Sequence, residues 1–189
     1  MLLKGLALAP FGLALGRPPV AHAAEERALA FCNTHTEERL EMVYFARGEY
    51  LPAALGRIDR LLRDFRTGET HPIDPRLLDT LNALCALCGG GVFEVISGYR
   101  SPKTNAMLRG AGGGVAEHSL HVEGRAIDLR LTGFRTARLR DAAIALGRGG
   151  VGYYPKSDFV HLDTGRVRNW GSQNVWRFEV SQAVARRSG

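Results

Sequence analysis

The sequence predicts a single α+β domain in which helices pack on a small, mostly antiparallel sheet. Three observations support this fold class. Apolar residues recur at helical spacing in several segments, short β-branched runs bounded by turn residues alternate with them, and neither an internal repeat nor a low-complexity linker divides the 189 residues. A chain of this length fits one ordinary domain with a sizeable core.

Residues 1–23 are predicted to form a secretory signal peptide, which leaves residues 24–189 as the mature domain. An apolar stretch runs from Leu6 to Leu15, and a small-x-small cleavage site ends at Ala23. The stretch is shorter than the ~20 residues that span a bilayer, and it contains Pro10, which argues against an uncleaved anchor. We therefore expect cleavage, with no stable membrane insertion afterwards.

The chain is basic, and it stays basic after this cleavage. Its formal charge falls from +6 to +4, because Lys4 and Arg17 are lost and no acidic residue is. An exported protein seldom meets nucleic acid, whereas bacterial envelopes present polyanions and carboxylate-bearing wall peptides. Wall components, and not nucleic acid, are the expected partners.

The first half of the mature chain predicts a strand pair followed by two helices. The segment "RALAFCNTHTEERLEMVYF" alternates and predicts two short strands that meet near residues 33–36. The segment "YLPAALGRIDRLLRDFR" has apolar residues at helical spacing. In "IDPRLLDTLNALCALCGGG", Asp74 is placed to cap a second helix, Pro75 occupies its first turn and a glycine run ends it.

The second of these helices ends in a cysteine pair, Cys85 and Cys88. With Cys32 the chain has three cysteines, so an even disulfide framework is excluded. No second pair exists to complete a tetrahedral cysteine site. We interpret Cys85 and Cys88 as buried small residues.

The second half predicts an alternation of strands and helices around a glycine-rich loop. Ser101 is placed to cap a short helix, with Pro102 at its first position. The successive segments are a strand in "VFEVISGYRS", this helix in "SPKTNAMLRG", a loop in "GAGGGVAEHS", a strand in "GRAIDLRL", a helix in "TARLRDAAIALGRG", and strands in "GGVGYY" and "FVHLDTG" joined by the turn "PKSD".

The segment "SLHVEGRAID" places a histidine, a glycine and an aspartate at a spacing suited to metal binding. Alternation in the predicted strand makes Asp128 project from a rigid element, and Gly124 permits a bend that returns His121 toward it. A catalytic zinc takes three nitrogen or oxygen ligands and keeps one position for water. His161 is the candidate third ligand, although a lone histidine on an apolar strand is more often a core residue.

The pattern Ser119-x-His121-x-x-Gly124-x-Ala126-x-Asp128, with a later histidine on a closing strand, resembles the D-Ala-D-Ala carboxypeptidase, lysostaphin and Sonic hedgehog group of zinc peptidases. Three segments, "VISGYRSPKTN", "SLHVEGRAIDLRL" and "GGVGYYPKSDFVHLDTGRVRNW", more closely resemble the murein endopeptidase K family of Gram-negative bacteria. The resemblance spans roughly residues 28–170.

This resemblance implies a hedgehog-like or D,D-peptidase-like fold and one zinc ion per chain. It implies zinc ligation by His121, Asp128 and His161, and it implies that Arg100 binds a substrate carboxylate through its guanidinium fork. Ser119 either contacts substrate or orients the loop that holds His121. His118 matches no ligand position and is interpreted as a solvent-facing neighbour.

Two aspartates are candidates for the general base. Asp163 is two residues after His161, so in a regular strand it shares the histidine's face, although it could instead orient His161. Asp158 is three residues before His161 but lies in a predicted turn. Tyr153 or Tyr154 could donate to the oxyanion or be packed in the core.

The function implied by the resemblance is hydrolysis of peptidoglycan peptide cross-links in the periplasm, by a zinc metallopeptidase expected to be a monomer. The family's typical bond is the L,D linkage between two diaminopimelates, the 3-3 cross-link. One alternative is a D,D-carboxypeptidase or D,D-endopeptidase. Another is a non-catalytic wall-binding module with a structural zinc.

Overall fold

A computed structural model describes residues 26–111, 116 and 118–171 of the chain. The predicted signal peptide and half of the predicted glycine-rich loop lie outside these residues. The described elements, in chain order, are β1 (Arg27–Asn33), β2 (Arg39–Ala46), β3 (Glu49–Tyr50), α1 (Pro52–Leu61), α2 (Pro75–Leu87), β4 (Phe93–Ser97), α3 (Pro102–Gly110), β5 (Ala126–Leu131), α4 (Thr136–Leu146), β6 (Gly150–Tyr154), β7 (Phe159–Asp163) and β8 (Arg168–Gly171).

The strands form one mixed sheet in the order β3-β2-β1-β4-β5-β7-β6-β8. Neighbours pair antiparallel except β1 with β4 and β6 with β8, which are parallel. The prediction of an α+β domain with a mostly antiparallel sheet is therefore confirmed, but the sheet has eight strands and is larger than expected. The two edge strands β3 and β8 were not predicted, because one has two residues and the other has no β-branched residue.

The helices bury one face of the central strands and leave the other face for polar side chains. Helix α4 contacts β5, β6 and β7, and α2 contacts both α4 and β1. Along β5, Ile127 and Leu129 belong to the hydrophobic core, whereas Asp128 and Arg130 alternate with them and project from the opposite face. The sheet thus presents Asp128 on a rigid strand, away from the helices.

The predicted helix caps are confirmed, but α1 is shorter than its apolar pattern. The Asp74 carboxylate accepts from Arg76 N at 3.0 Å, and Ser101 Oγ accepts from Thr104 N at 3.2 Å. Helix α1 ends at Leu61, and beyond it the Asp64 carboxylate accepts from the backbone N of Arg66. Local bonds of this kind compete with helix continuation.

The two cysteines at the end of α2 are partly buried against the core and form no disulfide with each other or with Cys32.

Of the helices in the described ranges, none has the length and apolar character needed to cross a membrane.

Gly124 occupies a position where a side chain would disturb the turn that carries His121. Its φ is +65°, and a Cβ there would lie 2.2 Å from the carbonyl oxygen of Pro72. Gly68 is a matched position, with φ +77° but open space around its Cβ. We expect Gly68→Ala to cost the strain of the left-handed conformation, about 1–2 kcal/mol. Gly124→Ala should cost clearly more, because backbone must also move.

Thermal unfolding of the two variants measures this difference. The predicted result is a larger fall in Tm for Gly124→Ala than for Gly68→Ala. Equal shifts in Tm would mean that the turn accommodates a methyl group without displacing the backbone of Pro72.

Candidate metal centre

Three side chains from two strands and one turn meet on the exposed face of the sheet. Asp128 on β5 is directly opposite His161 on β7, so the two side chains share a face and lie close together. His121 comes from the turn that precedes β5. The ligand atoms of His121, Asp128 and His161 all lie within 4.8 Å of one another.

The hydrogen bonds around the two imidazoles determine which nitrogen is available to a metal. His121 Nδ1 lies 2.7 Å from the carbonyl oxygen of Gly98, which can only accept, so Nδ1 carries the hydrogen and Nε2 has the free lone pair. His161 Nε2 lies 3.0 Å from Asp163 Oδ2 and its Nδ1 lies 2.8 Å from Asp128 Oδ1, so Nδ1 becomes available to a metal when the ring is neutral with its hydrogen on Nε2. Both free nitrogens point toward Asp128.

The spacing of these atoms fits a small tetrahedral cation. His121 Nε2 is 3.2 Å from His161 Nδ1 and 3.4 Å from Asp128 Oδ1, and His161 Nδ1 is 2.8 Å from that oxygen. Ligands bound at 2.0–2.1 Å in a tetrahedron are about 3.3 Å apart. The three side chains could therefore hold one metal ion and leave a fourth position open to the cleft.

Charge in the cluster favours an ionised aspartate and a protonated His161. Burial alone would raise the pKa of Asp128, but the neighbouring His121 and His161 hold it well below its usual range. Burial would lower the pKa of His161, yet its hydrogen bonds to Asp128 and Asp163 raise it to about 9. Since a metal binds only the neutral imidazole, binding must release this proton and should strengthen as pH rises.

Asp163 is held by so many donors that it acts as a fixed anchor for His161. Its side chain is 0 % exposed. Besides His161, it accepts from Arg168 through both carboxylate oxygens, at 3.0 and 2.8 Å, and from the backbone N of Gly150 and Gly165, at 3.1 and 2.8 Å. Burial alone would raise the pKa of Asp163, but these hydrogen bonds keep it well below its ordinary value. This arrangement favours the orienting role over the base role.

Asp158, the other candidate base, does not lie at the metal centre. It sits in the turn between β6 and β7 with φ +50°, accepts from Thr136 Oγ1 at 2.6 Å and lies 3.7 Å from Arg130. These partners line a separate depression near the start of α4. This placement does not support the predicted base role of Asp158, because the turn directs its carboxylate to that depression.

The structure also separates the two tyrosines of β6. Tyr153 is paired with Val160, faces the helices and packs against the Arg140 guanidinium of α4, 4.8 Å from its ring centre. Of the two tyrosines considered as oxyanion donors, Tyr153 therefore lies on the face opposite His161, and this placement does not support a role for it in substrate binding. Tyr154, one residue on, lies on the face of His161 and lines the cleft.

The cleft around the three candidate ligands has a volume of about 340 Å³. Ser119 and Arg100 line it, as the sequence predicts, together with His118 and Trp170, which sequence reasoning did not assign to it. A loop histidine and a tryptophan on an unpredicted edge strand carry no periodic signal that could have placed them. Asp163 and Arg168 close the floor beside His161.

Arg100 is buried beside the candidate ligands with part of its guanidinium uncommitted. Its NH2 is 3.6 Å from Asp128 Oδ2 and donates weakly to Ser97 Oγ at 3.4 Å. Within the described ranges its Nε has no hydrogen-bond partner. Burial lowers the pKa of Arg100, with the charge of Asp128 acting in the opposite sense. A buried cation with a free donor is suited to an anionic group of a ligand.

The backbone ties Arg100 to the turn of His121. Arg100 N donates to the carbonyl oxygen of His121 at 3.1 Å, and the next residue, Ser101, donates its N to Asp64 Oδ2 at 2.9 Å. Just before Arg100, the backbone at Gly98 passes close to Leu62. A Cβ on Gly98 would lie 2.4 Å from the carbonyl oxygen of Leu62, so glycine permits this close approach. Asp64 is a positioning residue that the sequence did not reveal, since its role depends on a contact 37 residues away.

Comparisons with known proteins show which family the chain resembles. A family model described as peptidoglycan L,D-endopeptidase MepK matches residues 21–170. A probable peptidoglycan L,D-endopeptidase MepK of Haemophilus influenzae is 43% identical over 146 residues, which cover 76% of this chain and 78% of the relative. The peptidoglycan L,D-endopeptidase MepK of Escherichia coli K12 is 40% identical over 171 residues, which cover 86% of this chain and 94% of the relative.

No solved structure matches the chain significantly, so the hedgehog-like or D,D-peptidase-like fold stays a prediction. The resemblance to the murein endopeptidase K family is confirmed by the family model and by relatives that align over most of the chain. On these matches, the chain belongs to the peptidoglycan L,D-endopeptidase MepK family.

Proposed function

We propose that the protein is a zinc-dependent endopeptidase that hydrolyses peptide cross-links of peptidoglycan, cutting the L,D bond between two diaminopimelates. The observation that carries the proposal is the convergence of two free imidazole nitrogens, one carboxylate and a buried arginine in one cleft. The similarity to peptidoglycan L,D-endopeptidases supports an L,D bond in the same polymer.

Zinc is the metal that this donor set favours. Two imidazoles and one carboxylate at tetrahedral spacing match the ligand types and the geometry of catalytic zinc sites, whereas Mg²⁺ and Ca²⁺ prefer six or more oxygen ligands. When bound by His121, Asp128 and His161, zinc supplies an acidified water and a Lewis acid for the scissile carbonyl.

The chain's own residues would orient the reacting groups. Gly98 and Asp163 each fix one imidazole in the tautomer that presents a lone pair, so neither ring needs to reorganise during turnover. Arg100, which lines the cleft, would hold a carboxylate of the substrate with its guanidinium. In a cross-link to diaminopimelate, the residue that contributes the amide nitrogen keeps a carboxylate next to the scissile bond. Arg100, which lies beside the candidate ligands, could reach this carboxylate.

Digestion of purified sacculi tests the proposal. The mature protein should remove 3-3 cross-linked dimers from the muropeptide profile and release the corresponding monomers, as identified by chromatography and mass spectrometry. Cleavage of 4-3 cross-links alone would instead support the D,D-endopeptidase. Binding to sacculi without release of any muropeptide would support the non-catalytic wall-binding module.

We also propose that the protein acts in the periplasm after removal of residues 1–23. The apolar N-terminal stretch and the peptidoglycan substrates named for the relatives support this location. N-terminal sequencing of the exported protein should begin at Ala24, and a chain that keeps its first residues and sediments with membranes would contradict cleavage.

The role of Asp163 can be tested with Asp163→Asn, which keeps shape and removes charge. If Asp163 orients His161, zinc affinity should fall about 10–100-fold, while most hydrolysis should return at saturating zinc. Asp158→Asn is the matched control and should leave both quantities unchanged, because Asp158 faces another depression. Loss of hydrolysis by Asp163→Asn at full zinc occupancy would instead identify Asp163 as the base.

A further inference from the structure

Tyr154 lines the cleft of the candidate metal centre. Tyr154 pairs with Phe159 across β6 and β7, and Gly152 pairs with His161. Because residues two apart along a strand share a face, the Tyr154 side chain lies on the same face as His161. Its ring stacks on Phe159 with centroids 4.6 Å apart. Tyr154 is 39% exposed, so a bound peptide could reach its hydroxyl.

The hydroxyl of Tyr154 is held by Trp170. The indole Nε1 donates to the phenol oxygen at 3.0 Å, and the indole ring lies 5.2 Å from the ring of His161. Because an indole nitrogen only donates, the phenol oxygen is the acceptor in this bond. The phenolic hydrogen is therefore left for another partner, and the described residues provide no acceptor for it.

The position of Trp170 is itself fixed from two sides. A Cβ on Gly152 would lie 2.7 Å from the indole ring, so the glycine allows the ring to lie directly on β6. The Arg168 guanidinium stacks on the other part of the ring system, 4.9 Å from its centre, while pairing with Asp163. The indole thus forms a rigid link between the anchor of His161 and the hydroxyl of Tyr154.

Arg100 and Tyr154 line the same cleft, together with His161 and Trp170. A peptide held by Arg100 with its scissile amide at the candidate ligands would therefore lie in the cleft that Tyr154 lines. There the phenolic hydrogen could be donated to the carbonyl oxygen.

We propose that Tyr154 is a catalytic residue that donates a hydrogen bond to the oxyanion formed on the scissile carbonyl, and that Trp170 and Gly152 position it. The inference rests on the proposed function. As the water oxygen bonds to the carbonyl carbon, the π electron pair moves to the carbonyl oxygen, where the phenol stabilises the charge without losing its proton. When the C=O bond reforms, the C–N bond breaks and the amine leaves with a proton that came from the water.

Steady-state hydrolysis of a purified 3-3 cross-linked dimer by the zinc-loaded protein tests this role. Tyr154→Phe keeps the stacking on Phe159 and removes only the hydroxyl. The expected result is a fall in kcat of roughly 100-fold with KM changed less than about twofold, because the bond forms in the transition state. Trp170→Phe and Gly152→Ala, which disturb the orientation of the hydroxyl, should lower kcat by about 10-fold.

Tyr153→Phe is the matched control, since its ring faces α4 on the opposite side of the same strand. It should keep the wild-type kcat. A phosphinate analogue of the cross-link, which mimics the oxyanion, adds a readout that does not depend on turnover. Its affinity should fall with Tyr154→Phe in parallel with kcat, whereas affinity for the cleaved product should not change.

The outcomes separate this inference from the proposed function. A wild-type protein that does not cleave the dimer would overturn the proposed function and this role with it. An active wild type with an equally active Tyr154→Phe would overturn only the role of Tyr154. Loss of zinc or of thermal stability in Tyr154→Phe, in step with the loss of kcat, would also overturn it, because it would make the tyrosine a structural residue.

Discussion

Replacing either His121 or Asp128 with alanine should abolish zinc binding and, with it, cross-link hydrolysis. Each change leaves only two of the three donor atoms that converge on the sheet face. Loss of an outer partner of a ligand already costs about 10–100-fold in affinity, so loss of a direct ligand should cost more. Elemental analysis of the purified variants measures the zinc content, and muropeptide release measures the activity.

Arg130→Ala is the matched control for this pair of variants. Arg130 lies two residues from Asp128 on the same strand and face, but it interacts with Glu94 and Asp158 rather than with the histidines. It should keep one zinc per chain. Full zinc occupancy of both His121→Ala and Asp128→Ala, with circular dichroism unchanged, would refute the assignment of the site.

Replacing Arg100 with lysine should weaken turnover while leaving zinc binding intact. Lysine keeps the charge but loses the planar fork that can bind a carboxylate through two hydrogen bonds. A charge-assisted hydrogen bond contributes about 1.5–3 kcal/mol, so kcat/KM should fall by roughly 10–150-fold. Kinetics on a 3-3 dimer with a free carboxylate, compared with the same dimer amidated there, isolates this interaction.

The amidated substrate should be a poor substrate for the wild type and should be affected little further by Arg100→Lys. Arg76→Lys is the control, since Arg76 pairs with Asp74 on the exposed surface of α2. It should leave kcat/KM unchanged. Wild-type kinetics for Arg100→Lys on both substrates would show that Arg100 does not contact the carboxylate.

Local pattern was sufficient to predict the residues that depend on one strand or one turn. Alternation along β5 separated Asp128 from the core residues Ile127 and Leu129, and the parity of Asp163 with His161 is the parity that the structure has. The caps at Asp74 and Ser101 follow from short-range hydrogen bonds, which the sequence specifies directly.

The remaining features depend on register and on distant contacts. Which tyrosine of β6 faces His161 is decided by the pairing of Gly152 with His161, and shifting the register by one residue would have exchanged Tyr153 and Tyr154. Trp170 reaches the cleft only because β8 adds to the sheet edge parallel to β6. No period in the sequence signals that pairing.

The position of Asp158 illustrates the same limit at a turn. Its spacing from His161 is compatible with a base, but its left-handed φ and its hydrogen bond to Thr136 of α4 determine where its carboxylate points. Sequence spacing likewise could not predict the many hydrogen-bond donors around Asp163, because Arg168 and the backbone N of Gly150 come from different strands.

We expect one metal ion, held by His121, Asp128 and His161, to make this cleft a cross-link hydrolase. A zinc titration of the metal-stripped protein, with 3-3 dimer cleavage followed at each addition, tests it most directly. Activity should rise in proportion to bound zinc and reach its plateau at one zinc per chain. Full activity in the metal-stripped protein, or stoichiometric zinc binding without any cleavage, would contradict it.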